Sequence, residues 1–188
     1  RDQAAKAAMM YDEVERAALS GDISRLDRSL ADMKERFAGT AFAQQAGLLA
    51  AKAYYDKGNL DAAKASLSWV AGKSADEAYQ AIAKLRLAGL LLEAKAHDEA
   101  LQMLSGTFPK DFVALAADRR GDILSAQGKK AEARAEYEKA FKGMDDRTEY
   151  RRLVEVKLNA LGLNPSGAVS SPAAAAAVAP ASAPEVKP

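Results

Sequence analysis

Four short polar turns recur at nearly constant spacing, and this spacing constrains the fold more than any other feature of the chain. The turns are centred on Gly21, Gly58, Lys95 and Gly128, so that successive turns lie 37, 37 and 33 residues apart. Between the turns, apolar residues recur at the spacing of one face of an α-helix. Because a short turn places the helices on either side of it alongside each other in opposite directions, the sequence predicts four consecutive helix pairs.

Residues at matching distances after each turn are mostly apolar, and three of the four turns are followed at the same distance by Ala. Five positions after the turn the chain has Leu26, Ala63, Ala100 and Ala133, and nine positions after it Leu30, Leu67, Leu104 and Tyr137. Twelve positions after the turn it has Met33, Val70, Thr107 and Ala140. A small residue lets the two helices of a pair cross closely, and a large residue one turn later fills the space where the crossing opens. A period near 34 residues with this pattern is typical of tetratricopeptide repeats.

The pattern predicts an all-α fold, a tetratricopeptide-like solenoid of stacked antiparallel helix pairs, because one helix pair cannot bury its own apolar face. Asp145 and Asp146 are predicted to cap a further helix that runs through Leu161 and is closed by Gly162. This C-terminal helix is expected to cap the last pair. The spacing of 37 residues also predicts a longer loop between repeats at Val70–Asp76.

The last 25 residues differ in composition from the rest of the chain. They hold five of the six prolines and the run Ala173–Ala177, with only Glu185 and Lys187 charged. Such a segment has little to bury, and its prolines interrupt helices. We therefore predict a helical repeat domain over residues 1–163 and a disordered Pro/Ala-rich tail over residues 164–188.

The composition argues against most catalytic and nucleic-acid-binding functions. The 27 Lys and Arg residues nearly balance the 26 Asp and Glu residues, for a net charge of +1, so the chain lacks the basic excess of a nucleic-acid binder. It has no Cys and a single His, which excludes thiolate chemistry and multi-His metal sites. We predict a protein that is not an enzyme and that uses no cofactor or metal. The longest apolar runs are too short to span a membrane.

Three clusters of side chains have both a functional and a structural interpretation. Asp118 and Asp122 lie four residues apart on one helix face, with Arg119 and Arg120 as nearby counter-charges, and we favour a structural pair over an acid–base pair. The segment His97–Glu99 is interpreted as the acidic start of a helix rather than a metal site. An aromatic set could form a peptide pocket, although we favour packing between repeats: Tyr54, Tyr55, Trp69, Tyr79, Phe108 and Phe112.

The first helices of stacked pairs line a concave groove in repeat proteins, and such grooves bind peptides. The repeat register places nine residues on this face: Gln45, Lys52, Tyr55, Ile82, Arg86, Glu93, Asp118, Arg119 and Asp122. Their mixed charges with Tyr55 suit a polypeptide partner with few strict demands. The alternative is a solvated face carrying ion pairs within each helix.

Several segments resemble the YfgM-like tetratricopeptide proteins, which are ancillary subunits of the bacterial Sec translocon. The resemblance rests on Gly58–Lys64, Leu67–Val70, Ala116–Leu124 and the following Gly128-Lys129. It implies a periplasmic repeat domain at the inner membrane, tethered by a membrane-spanning helix upstream of Arg1. It also implies two protein partners, the Sec translocon and a membrane-anchored periplasmic chaperone, and a role in helping secreted proteins as they emerge.

A second interpretation is a structural scaffold of another cell-envelope complex that binds no client protein. A membrane-spanning helix upstream of Arg1 would favour the tethered translocon accessory, whereas a cleaved signal peptide or a lipidated Cys would favour the scaffold. An uncovered end of the repeat stack would present apolar surface, so we also consider a homo-oligomer formed through that end.

Overall fold

The computed structural model describes residues 2–162, and in this range the regular structure is helical throughout. The tail that the sequence predicts over 164–188 lies outside the described residues. None of the helices described is both long and apolar enough to cross a membrane.

In chain order the described helices are four successive pairs, each linked by one of the predicted turns, and a final single helix. The first two pairs are α1 (Asp2–Ser20) with α2 (Ile23–Phe37), and α3 (Ala41–Asp56) with α4 (Leu60–Lys73). The next two are α5 (Glu77–Glu93) with α6 (His97–Met103), and α7 (Val113–Ala126) with α8 (Lys130–Gly143). A short 3-10 turn at Lys110–Phe112 precedes α7, and α9 (Glu149–Ala160) follows the last pair. The predicted all-α order of pairs with a C-terminal capping helix is confirmed.

All four predicted turns have the same backbone conformation at the same position. The φ angles of Gly21, Gly58, Lys95 and Gly128 are 69°, 76°, 59° and 76°, all in the left-handed region. This conformation ends a helix and directs its last carbonyl groups to the following amides. Glycine adopts it without a steric penalty, and Lys95 holds it with a Cβ in place. The backbone repeat is therefore more regular than the sequence repeat.

The residue after each turn is the N-cap of the second helix of the pair. In the first two pairs this residue caps the helix: Asp22 accepts a hydrogen bond from the Arg25 amide at 3.1 Å, and Asn59 accepts one from the Ala62 amide at 3.3 Å. In the last two pairs Ala96 and Lys129 hold the same position without a side-chain cap. Among the four second helices, side-chain capping is therefore confined to the first two pairs.

The equivalent positions on the second helices are buried as the register predicts. The four residues five positions after the turns are fully buried, and so, almost completely, are the four residues nine positions after them. Twelve positions after the turn, Met33, Val70 and Ala140 are also fully buried. Thr107 is the exception, because α6 ends at Met103 and leaves Thr107 exposed beyond the helix.

Glycine allows the two helices of a pair to approach closely at two crossings. A Cβ on Gly47 would lie 2.5 Å from Val70, and the Ser66 hydroxyl donates to the Gly47 carbonyl at 2.6 Å. A Cβ on Gly121 would lie 2.5 Å from the ring of Tyr137. Both close approaches depend on the absence of a side chain at the glycine.

The described chain divides into two compact units, one up to Leu90 and one from Leu91 onward. In the first unit α1 packs on α2 and α3, and α3 packs on α4. In the second unit α7 packs on α6 and α8, and α9 packs on α8. Each unit has its own buried cluster, centred on Leu26 and Met33 in the first and on Tyr137 and Leu158 in the second.

Two local predictions were wrong. Helix α4 continues to Lys73, so the loop before α5 is shorter than predicted; Ser74 and Asp76 exchange side-chain and backbone hydrogen bonds there. Asp145 and Asp146 precede α9 but do not cap it, because the helix begins at Glu149 with Thr148 as its N-cap. Instead, Asp145 accepts a hydrogen bond from the Arg147 amide.

We expect Gly121→Ala to destabilise the protein by about 1–2 kcal/mol, because the added methyl group overlaps a ring held in a packed crossing. Gly72→Ala is the matched control, since Gly72 lies in α4 and a Cβ added there would have no other atom within 4 Å. The control should stabilise by about 0.5–1 kcal/mol through helix propensity. Urea unfolding followed by circular dichroism measures both changes, and equal effects would contradict the proposed crossing.

We expect Lys95→Gly to stabilise the protein by about 0.5–1 kcal/mol, because glycine removes the strain of a Cβ in the left-handed region. The reciprocal change Gly128→Ala should destabilise by about 1 kcal/mol, although no atom lies within 4 Å of the new methyl group. Denaturant midpoints of the two variants test this. A loss of stability in Lys95→Gly would show that the turn conformation is not under strain.

Candidate functional site

The predicted binding residues of the first unit lie on α3 and α5. The side-chain amide of Gln45 donates to the Tyr79 hydroxyl at 2.7 Å, so this face of α3 meets the corresponding face of α5. Lys52 and Arg86 are exposed, and Tyr55 is half-buried against the core of the unit. The contact between Gln45 and Tyr79 supports the register that assigns these residues to one face.

The second unit carries the other predicted binding residues, Glu93, Arg119 and Asp122. Glu93 is exposed at the end of α5, and Arg119 is half-buried on α7. The carboxylate of Asp122 is engaged within the chain, as is that of its neighbour Asp118. The assignment of these residues to a binding groove stays a prediction.

Asp118 and Asp122 belong to a polar cluster that joins α7, α8 and α9. The ammonium group of Lys157 lies 3.0 Å from Asp118 and 2.9 Å from Asp122. The Tyr150 hydroxyl donates to Asp118 at 2.5 Å, and the Tyr137 hydroxyl donates to Asp122 at 2.6 Å. Asp118 is only 2% exposed. These five side chains, called the α9 lock below, place two carboxylates around one ammonium group and two hydroxyl donors.

The electrostatics of the α9 lock follow from burial and mutual contact. Burial, reinforced by Asp122, raises the pKa of Asp118 despite the opposing effects of Lys157 and Tyr150. Burial also opposes the charge on Lys157, but the carboxylates of Asp122 and Asp118 outweigh it and raise the pKa of the lysine. Burial and the hydrogen bond to Asp118 raise the pKa of Tyr150 to about 12. Near neutral pH the lysine is therefore charged and both hydroxyls keep their protons.

The structural interpretation of Asp118 and Asp122 fits this arrangement, but the predicted counter-charges were wrong. Arg120 pairs with Glu136 at 3.2 Å and donates to the Leu104 carbonyl at 3.0 Å, so it serves the packing of α6, α7 and α8. The true counter-charge is Lys157, which lies 35 residues after Asp122. The available signal was the spacing of Tyr150 and Lys157, which are seven residues apart and so share one face of α9.

The remaining candidate residues have structural surroundings. Helix α6 begins at His97, and Asp98 and Glu99 form its acidic first turn, as predicted. Tyr54 is buried and donates a hydrogen bond to Asp27, and Trp69 is half-buried with the Lys34 ammonium 5.2 Å from its ring centroid. Over residues 2–162, no group of three or more His, Asp or Glu side chains is placed to hold a metal ion.

The repeated turns, the small residues at the helix crossings and the capping helix define a tetratricopeptide repeat-like protein. Residues 1–163 match the family described as a tetratricopeptide repeat-like domain. No solved structure matches the chain.

Two similar proteins indicate a more specific family within the tetratricopeptide repeat-like proteins. The chain is 32% identical over 155 residues to an ancillary SecYEG translocon subunit of Neisseria gonorrhoeae, covering 82% of this chain and 74% of the relative. It is 28% identical over 165 residues to an ancillary SecYEG translocon subunit of Escherichia coli, covering 86% of this chain and 77% of the relative. The chain therefore belongs to the YfgM-like family of ancillary SecYEG translocon subunits, as the sequence resemblance predicts.

We expect Lys157→Met to destabilise the protein by about 3 kcal/mol, because it leaves two neighbouring carboxylates without their cation. Lys142→Met is the matched control, since Lys142 is exposed on α8, and it should change stability by less than about 0.5 kcal/mol. Urea unfolding at neutral pH measures both. A small effect of Lys157→Met would contradict the assignment of the α9 lock as a stabilising cluster.

The same cluster sets an alkaline limit to stability. The pKa of Tyr150 rises on folding from 10.0 to about 12. The protonated hydroxyl therefore contributes fully to the free energy of unfolding below about pH 10, and this contribution is lost as the pH rises to about 12. The raised pKa of Lys157 acts in the same direction. Tyr150→Phe should flatten the fall in unfolding free energy over this range, and an unchanged slope would contradict the coupling.

Proposed function

We propose that this protein is an accessory of the Sec translocon that works by binding other proteins on the periplasmic side of the inner membrane. The observation that carries the proposal is the match to two ancillary SecYEG translocon subunits over more than four fifths of this chain. The matched region coincides with the helical repeat domain, so the family likeness lies in a fold that other proteins use for protein–protein contact.

The binding surfaces in this proposal are the exposed faces of the first helices, considered separately in each unit. In the first unit Lys52 and Arg86 supply cations on α3 and α5, and the contact between Gln45 and Tyr79 joins the two helices. In the second unit Arg119 supplies a cation on α7. Long cationic side chains on a helix can contact a polypeptide partner. Because the helix backbone is already ordered, binding costs this protein little backbone conformational entropy.

The partners we propose are the translocon itself, a membrane-anchored periplasmic chaperone, and secreted chains as they emerge. The protein would act by scaffolding, without a covalent step. The side chains that most resemble a catalytic pair, Asp118 and Asp122, are occupied by Lys157 and two tyrosine hydroxyls. This arrangement supports a structural use of the two carboxylates.

Photo-crosslinking in living cells tests the proposal directly. A photoreactive amino acid is placed at position 52, 86 or 119, and the products are identified by mass spectrometry. Matched probes at positions 28 and 142, which are exposed on the second helices α2 and α8, report non-specific contacts. We expect translocon subunits or the chaperone from the first set only. Products from another envelope complex alone would replace this proposal with the structural scaffold.

We expect the double substitution of Arg86→Glu and Arg119→Glu to reduce capture of the partner about tenfold or more, because two attractive contacts become repulsive. The matched control reverses Arg28 and Arg152, two exposed arginines on α2 and α9. Co-purification with the translocon, quantified at equal expression, measures both variants. Unchanged capture with intact helicity would reject this face as the binding surface.

A further inference from the structure

Three aromatic side chains and an amide form a row across the first helices of the first unit. The rings of Tyr11 on α1 and Phe42 on α3 lie 6.1 Å apart between centroids, tilted by 50°. One helical turn further along α3, Gln45 donates to the Tyr79 hydroxyl on α5 at 2.7 Å. The row of Tyr11, Phe42, Gln45 and Tyr79, called the aromatic row below, therefore links α1, α3 and α5.

The aromatic row is partly open to solvent rather than sealed in the core. All four side chains are half-buried, and Tyr11 and Phe42 rest with part of their surface on the buried cluster of the unit. By contrast, the aromatic residues Phe37 and Tyr54 of the same unit are buried in that cluster. Ring surface that remains open on a rigid base is suited to a second molecule, since it costs little conformational entropy to use.

Two carboxylates border the aromatic row. Asp12 and Glu15 are exposed on α1 beside Tyr11, and neither forms an ion pair with any residue in the described range. The other acidic residues of α1 are matched, because Asp2 pairs with Lys6 at 3.1 Å and Glu13 pairs with Arg16 and Arg25. The carboxylates of α1 that lack an ion pair in the described range are therefore Asp12, the residue after Tyr11, and Glu15, one helical turn further on.

The local field supports this placement of charge. Burial raises the pKa of Tyr11 first, and the neighbouring Glu15, Asp12 and Tyr79 raise it further. The negative charges of the two carboxylates therefore contribute to the electrostatic potential at Tyr11. A cation held at the face of the ring would gain from both the ring and the carboxylates.

The polar end of the row can accept a peptide backbone. Because the Gln45 amide nitrogen donates to Tyr79, the Gln45 carbonyl oxygen can still accept a hydrogen bond and the Tyr79 hydroxyl can still donate one. One acceptor and one donor side by side match the N–H and C=O groups of an extended chain. The aromatic and acidic end of the row would then contact a side chain of the bound polypeptide.

We propose that the aromatic row, with Asp12 and Glu15, binds an extended polypeptide segment at a Lys or Arg side chain. The cation lies against the rings of Tyr11 and Phe42 with the two carboxylates beside it, and Gln45 and Tyr79 hold the adjacent backbone. The inference rests on the proposed function in that it names the chemistry of the segment that the first unit recognises.

Fluorescence anisotropy with the purified full chain tests the inference. The probe is a labelled peptide of Gly and Ser residues around a central Lys-Leu-Lys, and its counterpart carries Gln in place of both lysines. We expect the lysine peptide to bind about three to ten times more tightly than the glutamine peptide at low salt. This difference in affinity should become smaller at high salt. Equal affinities of the unaltered protein for the two peptides would overturn the inference.

Two variants locate the effect. Asp12→Asn combined with Glu15→Gln should bring the two peptides to within about twofold, and Tyr11→Leu should do the same while keeping the apolar contact with the core. Asp32→Asn combined with Glu35→Gln is the matched control, because both residues are exposed acids on α2. A control variant that loses the lysine preference as strongly would also overturn the inference.

The outcome is separable from the test of the proposed function. The peptide assay contains no translocon, so a chain that prefers the lysine peptide but fails to crosslink to the translocon would sustain this inference and overturn the proposed function. A chain that crosslinks to the translocon but shows no lysine preference would do the reverse.

Discussion

The packing of this protein follows from how closely two helices cross within a pair, as at Gly47 between α3 and α4 and at Gly121 between α7 and α8. The crossing needs a left-handed turn to reverse the chain, and Gly21, Gly58, Lys95 and Gly128 all provide it. It then needs side chains that fill the space between the helices without separating them, and the residues five positions later are fully buried in every pair. Because a pair packed in this way still has an apolar side, the next helix must cover it.

Helix α9 covers the apolar side of the last pair, at the C-terminal end of the described chain. Its contacts are polar as well as apolar. Val154 and Leu158 are fully buried in the second unit, while Lys157 on the same helix reaches two carboxylates of α7. A buried charge cluster adds little net stability compared with apolar packing, but a missing member is costly. The α9 lock therefore favours one orientation of the helix over others that would bury the same apolar area.

The acidic residues of the two units lie in different surroundings, and this difference supports the peptide site that we propose in the first unit. In the second unit the carboxylates of Asp118 and Asp122 share the ammonium group of Lys157 and accept hydrogen bonds from two tyrosine hydroxyls. In the first unit Asp12 and Glu15 remain exposed beside partly open rings. Acidic residues thus join helices in the second unit, and in the first unit they belong to the peptide site that we propose.

The repeat, the positions of the turns and the buried positions of the second helices could all be predicted from the amino-acid sequence, because glycine turns and apolar spacing act within a few residues of each other. The family likeness was also present in the sequence. The packing of helices was needed to show that Lys157, rather than Arg119 or Arg120, is the cation that pairs with Asp118 and Asp122. It was needed equally to show that the four members of the aromatic row meet. These contacts join distant positions on different helices, and their partners are chosen by how helices pack in space, which local periodicity does not specify.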